Sequence, residues 1–177
     1  MPERSAARTF STRIARPLGS RVRVFQTRTV PSIAAQKSSP LELGLSWAVD
    51  WGKENFIGRK ALVEEKRRAP EWRLAGVEVD WVSLEEVYAQ VGLHPQVPAV
   101  AWRTSVPIYV EGVQVGYASS GCWSPILKKY IALAHLRAEH AKPGTPVNME
   151  VTVEHQRRQA AATVAKLPFF DPQRKKA

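Results

Sequence analysis

The sequence predicts an α+β chain, mostly β, whose rear portion folds as an antiparallel barrel or sandwich. Three observations carry this. Short runs of alternating apolar residues recur between Val106 and Leu167, at the period of two that a half-buried strand requires. Turn signals separate those runs, at Glu111-Gly112, Pro143-Gly144-Thr145 and His155-Gln156-Arg157. Helical character is confined to two short stretches, 63–68 and 84–91. Many short strands at regular spacing are the pattern of closed or double-layered β architectures.

In chain order, residues 1–40 come first. They hold seven Arg, Lys37 and a single acid, Glu3, so they carry +7 of the chain's formal +10. Pro2, Pro17, Pro31 and Pro40 punctuate them, and neither helical nor strand periodicity persists, which predicts disorder or loose structure. From Leu41 the character changes. Leu41, Leu43, Leu45 and Trp47 alternate, followed by Val49 and Trp51, which predicts a strand broken at Gly52. A short helix over Val63–Arg68 with a charged outer face follows, ended by Pro70. Trp72–Val79 reads as a strand. Ser83-Leu84-Glu85-Glu86 reads as a capping box, in which Ser83 and Glu86 satisfy each other's amides, opening a helix to about Val91. A loop from Gly92 to Ser105 contains Pro95 and Pro98.

Strands are then expected at Val106–Val110, Val113–Ser119, Tyr130–Leu136, Val147–Glu154 and Gln159–Leu167. Ser124-Pro125 predicts one helical turn over Ser124–Lys129, with Ser as cap and Pro at the first helical position.

Composition limits the function classes. Apolar residues make up 44% of the chain, with six Trp, five Phe and four Tyr, enough for a core. The apolar runs are far shorter than the roughly 20 residues of a membrane helix, so a soluble protein is expected. A lone cysteine, Cys122, forms no internal disulfide or metal framework and fits a reducing compartment. A small buried side chain is its plain explanation. Basic charge concentrated outside the structured part weighs against nucleic-acid binding.

Residues 1–40 admit an organelle transit peptide, a basic tail for an acidic surface, or a linker or incidental extension, which is the plainest account. A secretory signal is excluded by the lack of an apolar core after the first arginines.

No phosphate-binding, dinucleotide, zinc-protease or nucleophile-elbow motif is present. His94, His135, His140 and His155 do not pair at ligand spacing and read as structural or surface groups. The pairs Glu64-Glu65 and Glu85-Glu86 read as solvated helix faces, and Asp50 and Glu54 bracket Gly52 in a turn. No catalytic or metal-ligating residue is assigned. Arg157-Arg158 is expected at a hairpin tip. Arg174-Lys175-Lys176 follows Pro168-Phe169-Phe170-Asp171-Pro172 and reads as a solvated tail or as a cation for an anionic ligand, since the planar Arg fork matches carboxylates.

Four blocks in order resemble one family. They are Leu43-Gly44-Leu45-Ser46-Trp47 with Phe56-Ile57-Gly58-Arg59-Lys60-Ala61-Leu62; Val106-Pro107-Ile108-Tyr109 with Val115-Gly116-Tyr117-Ala118-Ser119-Ser120-Gly121; Ser124 to Ala134 with Pro143-Gly144-Thr145; and Ala165 to Pro172. Together they resemble the C-terminal region of the aminomethyltransferase, or glycine cleavage T-protein, family, including the folate-binding halves of sarcosine and dimethylglycine dehydrogenases. The resemblance covers about Pro40 to Ala177 and none of the leader.

It implies a C-terminal β-barrel preceded by a partial α+β folate-binding body. Residues 1–40 are then a leader, 41–80 the end of the body, and 81–177 a helix, a loop and the barrel. It implies tetrahydrofolate as cofactor and transfer of a one-carbon unit from an aminomethyl group on a lipoyl carrier, with release of ammonia. The family's catalytic aspartate and pterin-gripping groups lie upstream of the Leu43-Gly44-Leu45 block, where this chain holds its Arg-rich leader, so none is carried over and inactivity alone is expected. Arg174 is the single cofactor-binding candidate, loosely matched to a terminal arginine of some members. The partners implied are a folate-binding subunit or a lipoyl carrier protein. The alternative is a non-catalytic accessory or remnant barrel docked on another subunit. A cytoplasmic location is expected, or a mitochondrial one if residues 1–40 are a transit peptide. A partial body should also expose apolar surface around Trp47 and Trp51.

Overall fold

The computed structural model describes residues 38–172. The expectations for residues 1–37 and for Arg174-Lys175-Lys176 lie outside the described residues. The elements are helix α1 (Arg59–Arg68), strand β1 (Trp72–Val79), helix α2 (Trp81–Ala89), and strands β2 (Val106–Val110), β3 (Val113–Ser124), β4 (Lys129–Arg137), β5 (Pro146–Val153) and β6 (Gln156–Ala165). Two 3-10 turns, Ser46–Ala48 and Ala138–His140, complete them.

The six strands close into an antiparallel barrel in the order β1-β4-β3-β2-β5-β6, with β6 returning to β1. Closure removes the free edges that an open sheet would leave to pair with other chains. The two-residue alternation selects the interior. On β4, Tyr130, Ala132, Ala134 and Leu136 are buried, while Ile131, Leu133 and His135 are half-buried on the other face. Ala160, Ala162 and Val164 on β6, Val147, Met149 and Val153 on β5, and Ala75, Val77 and Val79 on β1 join them in one core. The many alanines suit a narrow barrel, whose interior admits few large side chains. Ile108, Leu136 and Met149 fill the remaining space and are fully buried. Leu84 and Val87 carry α2 into the same core.

The loop between α2 and β2 is tied to the barrel. Trp102 N donates to Gly121 O at 3.0 Å and Trp123 N to Pro98 O at 2.9 Å. The Trp102 indole donates to the Tyr130 hydroxyl at 2.9 Å. Gly121 makes this seat possible, since a Cβ there would stand 2.6 Å from Trp102 Cζ2.

Several expectations are corrected. Residues 41–51 are not a strand: they form turns and the 3-10 segment. Gly44 at φ +70° turns the chain, and a strand without a neighbour to pair with has no ladder. Helix α1 begins at Arg59 with Gly58 as its cap, earlier than Val63. The cap of α2 is Asp80, not Ser83: the Asp80 carboxylate accepts from Ser83 N at 2.7 Å. The Ser83 hydroxyl instead accepts from Ala161 N on β6 at 2.9 Å.

Residues 124–129 are a hairpin turn rather than a helix. Ser124 Oγ does accept from Leu127 N at 3.3 Å, but Ser124 pairs with Lys129 and Lys128 at φ +52° reverses the chain. The β5–β6 hairpin tip is Glu154-His155, both at positive φ, as a two-residue hairpin turn demands. Arg157 and Arg158 therefore lie on β6. Finally, β1, grouped by sequence with residues 41–80, is a stave of the barrel, so the boundary at residue 80 falls inside the closed sheet.

Candidate functional site

The chain that leads into β1 builds a cleft. Ser39 and Glu42 form a reciprocal pair: Ser39 N donates to Glu42 Oε2 at 2.9 Å, and Glu42 N donates to Ser39 Oγ at 3.1 Å. Both residues are buried, and the Ser39 hydroxyl also donates to Glu65 on α1. Leu74 N on β1 donates to Glu42 O at 2.7 Å. This turn therefore fastens residues 38–46, α1 and β1 together. A cleft of about 420 Å³ opens between them, lined by Leu41, Glu42, Ser46, Lys66, Arg73 and Leu74 among others. The Lys66 ammonium lies 4.4 Å from the centre of the Trp51 ring, a cation–π contact.

Beneath the turn, His135 and Tyr117 stack with ring centres 5.4 Å apart and planes 17° apart. They are neighbours in the β3–β4 register, and Leu74 faces His135 from β1. Burial holds the His135 imidazole below its ordinary range. Burial raises the Tyr117 phenol, and the nearby Glu42 carboxylate adds to that. A neutral imidazole stacked on a neutral phenol is a packing arrangement.

The other candidates from the sequence do not converge. Cys122 is a free, half-buried thiol on β3. Among the described residues no group of His, Cys, Asp and Glu is placed to hold a metal. Asp50 caps its own turn through Gly52 N at 3.0 Å. Glu64 pairs with Arg67 at 3.0 Å and with Arg68 at 3.2 Å on the exposed face of α1. Arg158 binds Gln90 at the end of α2, and Arg157 approaches Glu150 at 3.7 Å. Arg174, the one folate candidate, lies outside the described residues. The ring of Phe169 rests against Gly76 of β1, so the segment after β6 is seated on the barrel wall.

The sequence reading missed Ser39-Pro40-Leu41-Glu42. It carries the same S-x-x-E signature as a capping box, and it is the buried polar pair of the site.

The cleft does not fit a pterin. No aromatic side chain lines it, and its one carboxylate, Glu42, is already engaged by the Ser39 amide. A pterin ring calls for a flat apolar platform and free acceptors for its amino groups.

The fold and the cleft thus define a closed six-stranded barrel with an entering arm and no assembled catalytic constellation among the described residues. Residues 89–171 match the family model for the glycine cleavage T-protein C-terminal barrel domain. The aminomethyltransferase of Halalkalibacterium halodurans is 34% identical over 132 residues, covering 75% of this chain and 30% of the relative. That of Prochlorococcus marinus is 34% identical over 134 residues with the same coverages. The crystal structure of glycine cleavage system aminomethyltransferase T from Bartonella henselae shares the fold at a TM-score of 0.57 and 21% identity, covering 75% of this chain and 32% of that one. By its barrel the chain resembles the C-terminal region of the aminomethyltransferase (glycine cleavage T-protein) family, and it spans about 30% of the length of the curated relatives it matches.

Among the described residues, no helix is long and apolar enough to cross a membrane.

Proposed function

We propose that this chain serves as the C-terminal barrel of a tetrahydrofolate-dependent aminomethyl transfer, and that by itself it is inactive. The observation that carries this is the combination of a complete closed barrel with a match to only 30% of a family enzyme's length. Orbital alignment and proximity supply most of the rate in a transfer between two bound substrates. The cleft beside the arm offers no aromatic platform for a pterin. In this reading, tetrahydrofolate and the aminomethyl donor are held by a body domain, and the barrel completes the protein around it. A cytoplasmic location, or a mitochondrial one reached through residues 1–40, is part of the proposal, as is a lipoyl carrier protein as donor.

The test is a turnover assay of the full 177-residue chain with tetrahydrofolate and an aminomethyl-lipoyl donor, following ammonia and methylenetetrahydrofolate. No turnover above the uncatalysed rate is expected. Turnover by the chain alone would overturn the proposal.

A further inference from the structure

Two cations line one cleft without a carboxylate to neutralise them. The arginines around them are engaged. Arg67 and Arg68 pair with Glu64 on α1, Arg137 approaches Glu71 at 3.4 Å, and Arg59 donates to the Lys53 carbonyl at 3.0 Å. Among the described residues Lys66 and Arg73 enter no ion pair, and both line the cleft between residues 38–46, α1 and β1. Glu42 also lines it, but that carboxylate is buried and accepts from the Ser39 amide. The lining therefore keeps a net positive charge.

The cations are held where they are. The Trp51 indole donates to Ser46 O on the arm at 3.0 Å, while its ring lies 4.4 Å from the Lys66 ammonium of α1. One side chain thus joins two walls and steadies an otherwise flexible lysine. Arg73 precedes Leu74, whose amide is fixed to Glu42 O at 2.7 Å. Leu41, Pro70 and Leu74 give the same cleft apolar surface. A volume of about 420 Å³ lies in the range of small-molecule sites.

We infer that this cleft binds a small organic anion, with a carboxylate or phosphate head between Arg73 and Lys66 and an apolar body against Leu41, Pro70 and Leu74. The planar guanidinium of Arg73 matches either head with two parallel hydrogen bonds, and the Lys66 ammonium adds a point charge. The site needs neither folate nor aminomethyl transfer, so it stands or falls apart from the function proposed above.

The experiment follows amide chemical shifts of the isotope-labelled full chain during titration with hexanoate, hexyl phosphate, inorganic phosphate and hexanol. At least one of the two organic anions is expected to bind with a dissociation constant of about 1 mM or tighter, with shifts centred on Gly44, Ser46 and Leu74. Binding of hexanoate alone makes the head a carboxylate, binding of hexyl phosphate alone makes it a phosphate ester, and each supports the inference. Inorganic phosphate and hexanol each lack one half of the ligand and should bind at least about ten-fold more weakly. Arg73→Gln and Lys66→Gln should each weaken anion binding about three- to five-fold, as the loss of an exposed ion pair does, and the double variant by about ten-fold or more. Arg67→Gln removes the same charge from α1 outside the cleft and should leave binding within about two-fold of the parent. Circular dichroism checks that each variant is folded.

Absence of binding by either organic anion up to about 10 mM overturns the inference, as do shifts centred elsewhere. Equal affinity for hexanol or for inorganic phosphate overturns it too, since the head or the apolar body would then contribute nothing. A folded double variant that binds like the parent has the same consequence.

Discussion

Replacing Ile108 with Ala probes the seam at which the barrel closes. Ile108 is fully buried. It pairs with Met149 in the short β2–β5 ladder, whose other pair is Tyr109 with Asn148. The substitution removes three carbons, worth about 2.4 kcal/mol at about 0.8 kcal/mol for each buried carbon. The seam is held by two strands that cannot collapse independently, so a cavity remains and raises the cost to about 3–4 kcal/mol. With a urea slope of about 2 kcal/mol/M, the unfolding midpoint should fall by about 1.5–2 M. Val113→Ala, at an exposed site at the neighbouring hairpin, should change stability by no more than about 0.5 kcal/mol. The assay is equilibrium urea unfolding followed by far-ultraviolet circular dichroism. An Ile108→Ala midpoint within about 0.3 M of the Val113→Ala midpoint would refute the claim that Ile108 lies inside a packed, closed barrel.

Two further outcomes are expected. Gly121→Ala places a methyl 2.6 Å from the Trp102 indole and 2.9 Å from the Ile131 carbonyl, which should cost about 1–3 kcal/mol. It should also displace Trp102, read as a shift in tryptophan emission; an unshifted spectrum with unchanged stability would show that the loop is not seated as described. His135 is held neutral by burial, its pKa below the ordinary 6.5. The unfolded chain therefore binds the extra proton first as pH falls through about 6.5, and stability should decline from there until the folded-state imidazole also titrates. The stacked Tyr117, raised by burial, stays neutral across that window. His135→Gln should flatten the slope between pH 7 and 5, and an unchanged slope would assign the pH dependence elsewhere.

The barrel was readable in the sequence where strands have one wet and one dry face. Trp72–Val79 and Val106–Val110 appear at the expected bounds, because their alternation is maintained by a real interior. The same signal misled at Leu41, Leu43, Leu45 and Trp47, which alternate without a neighbouring strand, so the chain turns at Gly44 and leaves Trp47 in water. Exposure was expected around both Trp47 and Trp51; Trp47 is exposed and Trp51 is half-buried. Local cap chemistry at Ser124-Pro125 was real, yet the register of β3 on β4 overrode it. Two S-x-x-E patterns show the limit of such motifs. The one at Ser83 looked like a cap, but Ser83 serves β6. The one at Ser39 was passed over and forms the reciprocal pair. Which of two identical patterns is buried depends on what the fold brings beside it. The membership of β1 in the barrel was likewise illegible, because its partners β4 and β6 lie far along the chain.

The central claim is that residues from the arm onward form a working barrel of the aminomethyltransferase kind. It is tested most directly by a chimera in which residues 38–177 replace the matching C-terminal region of the Halalkalibacterium halodurans enzyme. Aminomethyl transfer to tetrahydrofolate is measured by ammonia release. The account predicts a folded chimera with turnover within about ten-fold of the parent, a loss of about 1.4 kcal/mol in transition-state stabilisation. A folded, monodisperse chimera with no turnover would contradict it.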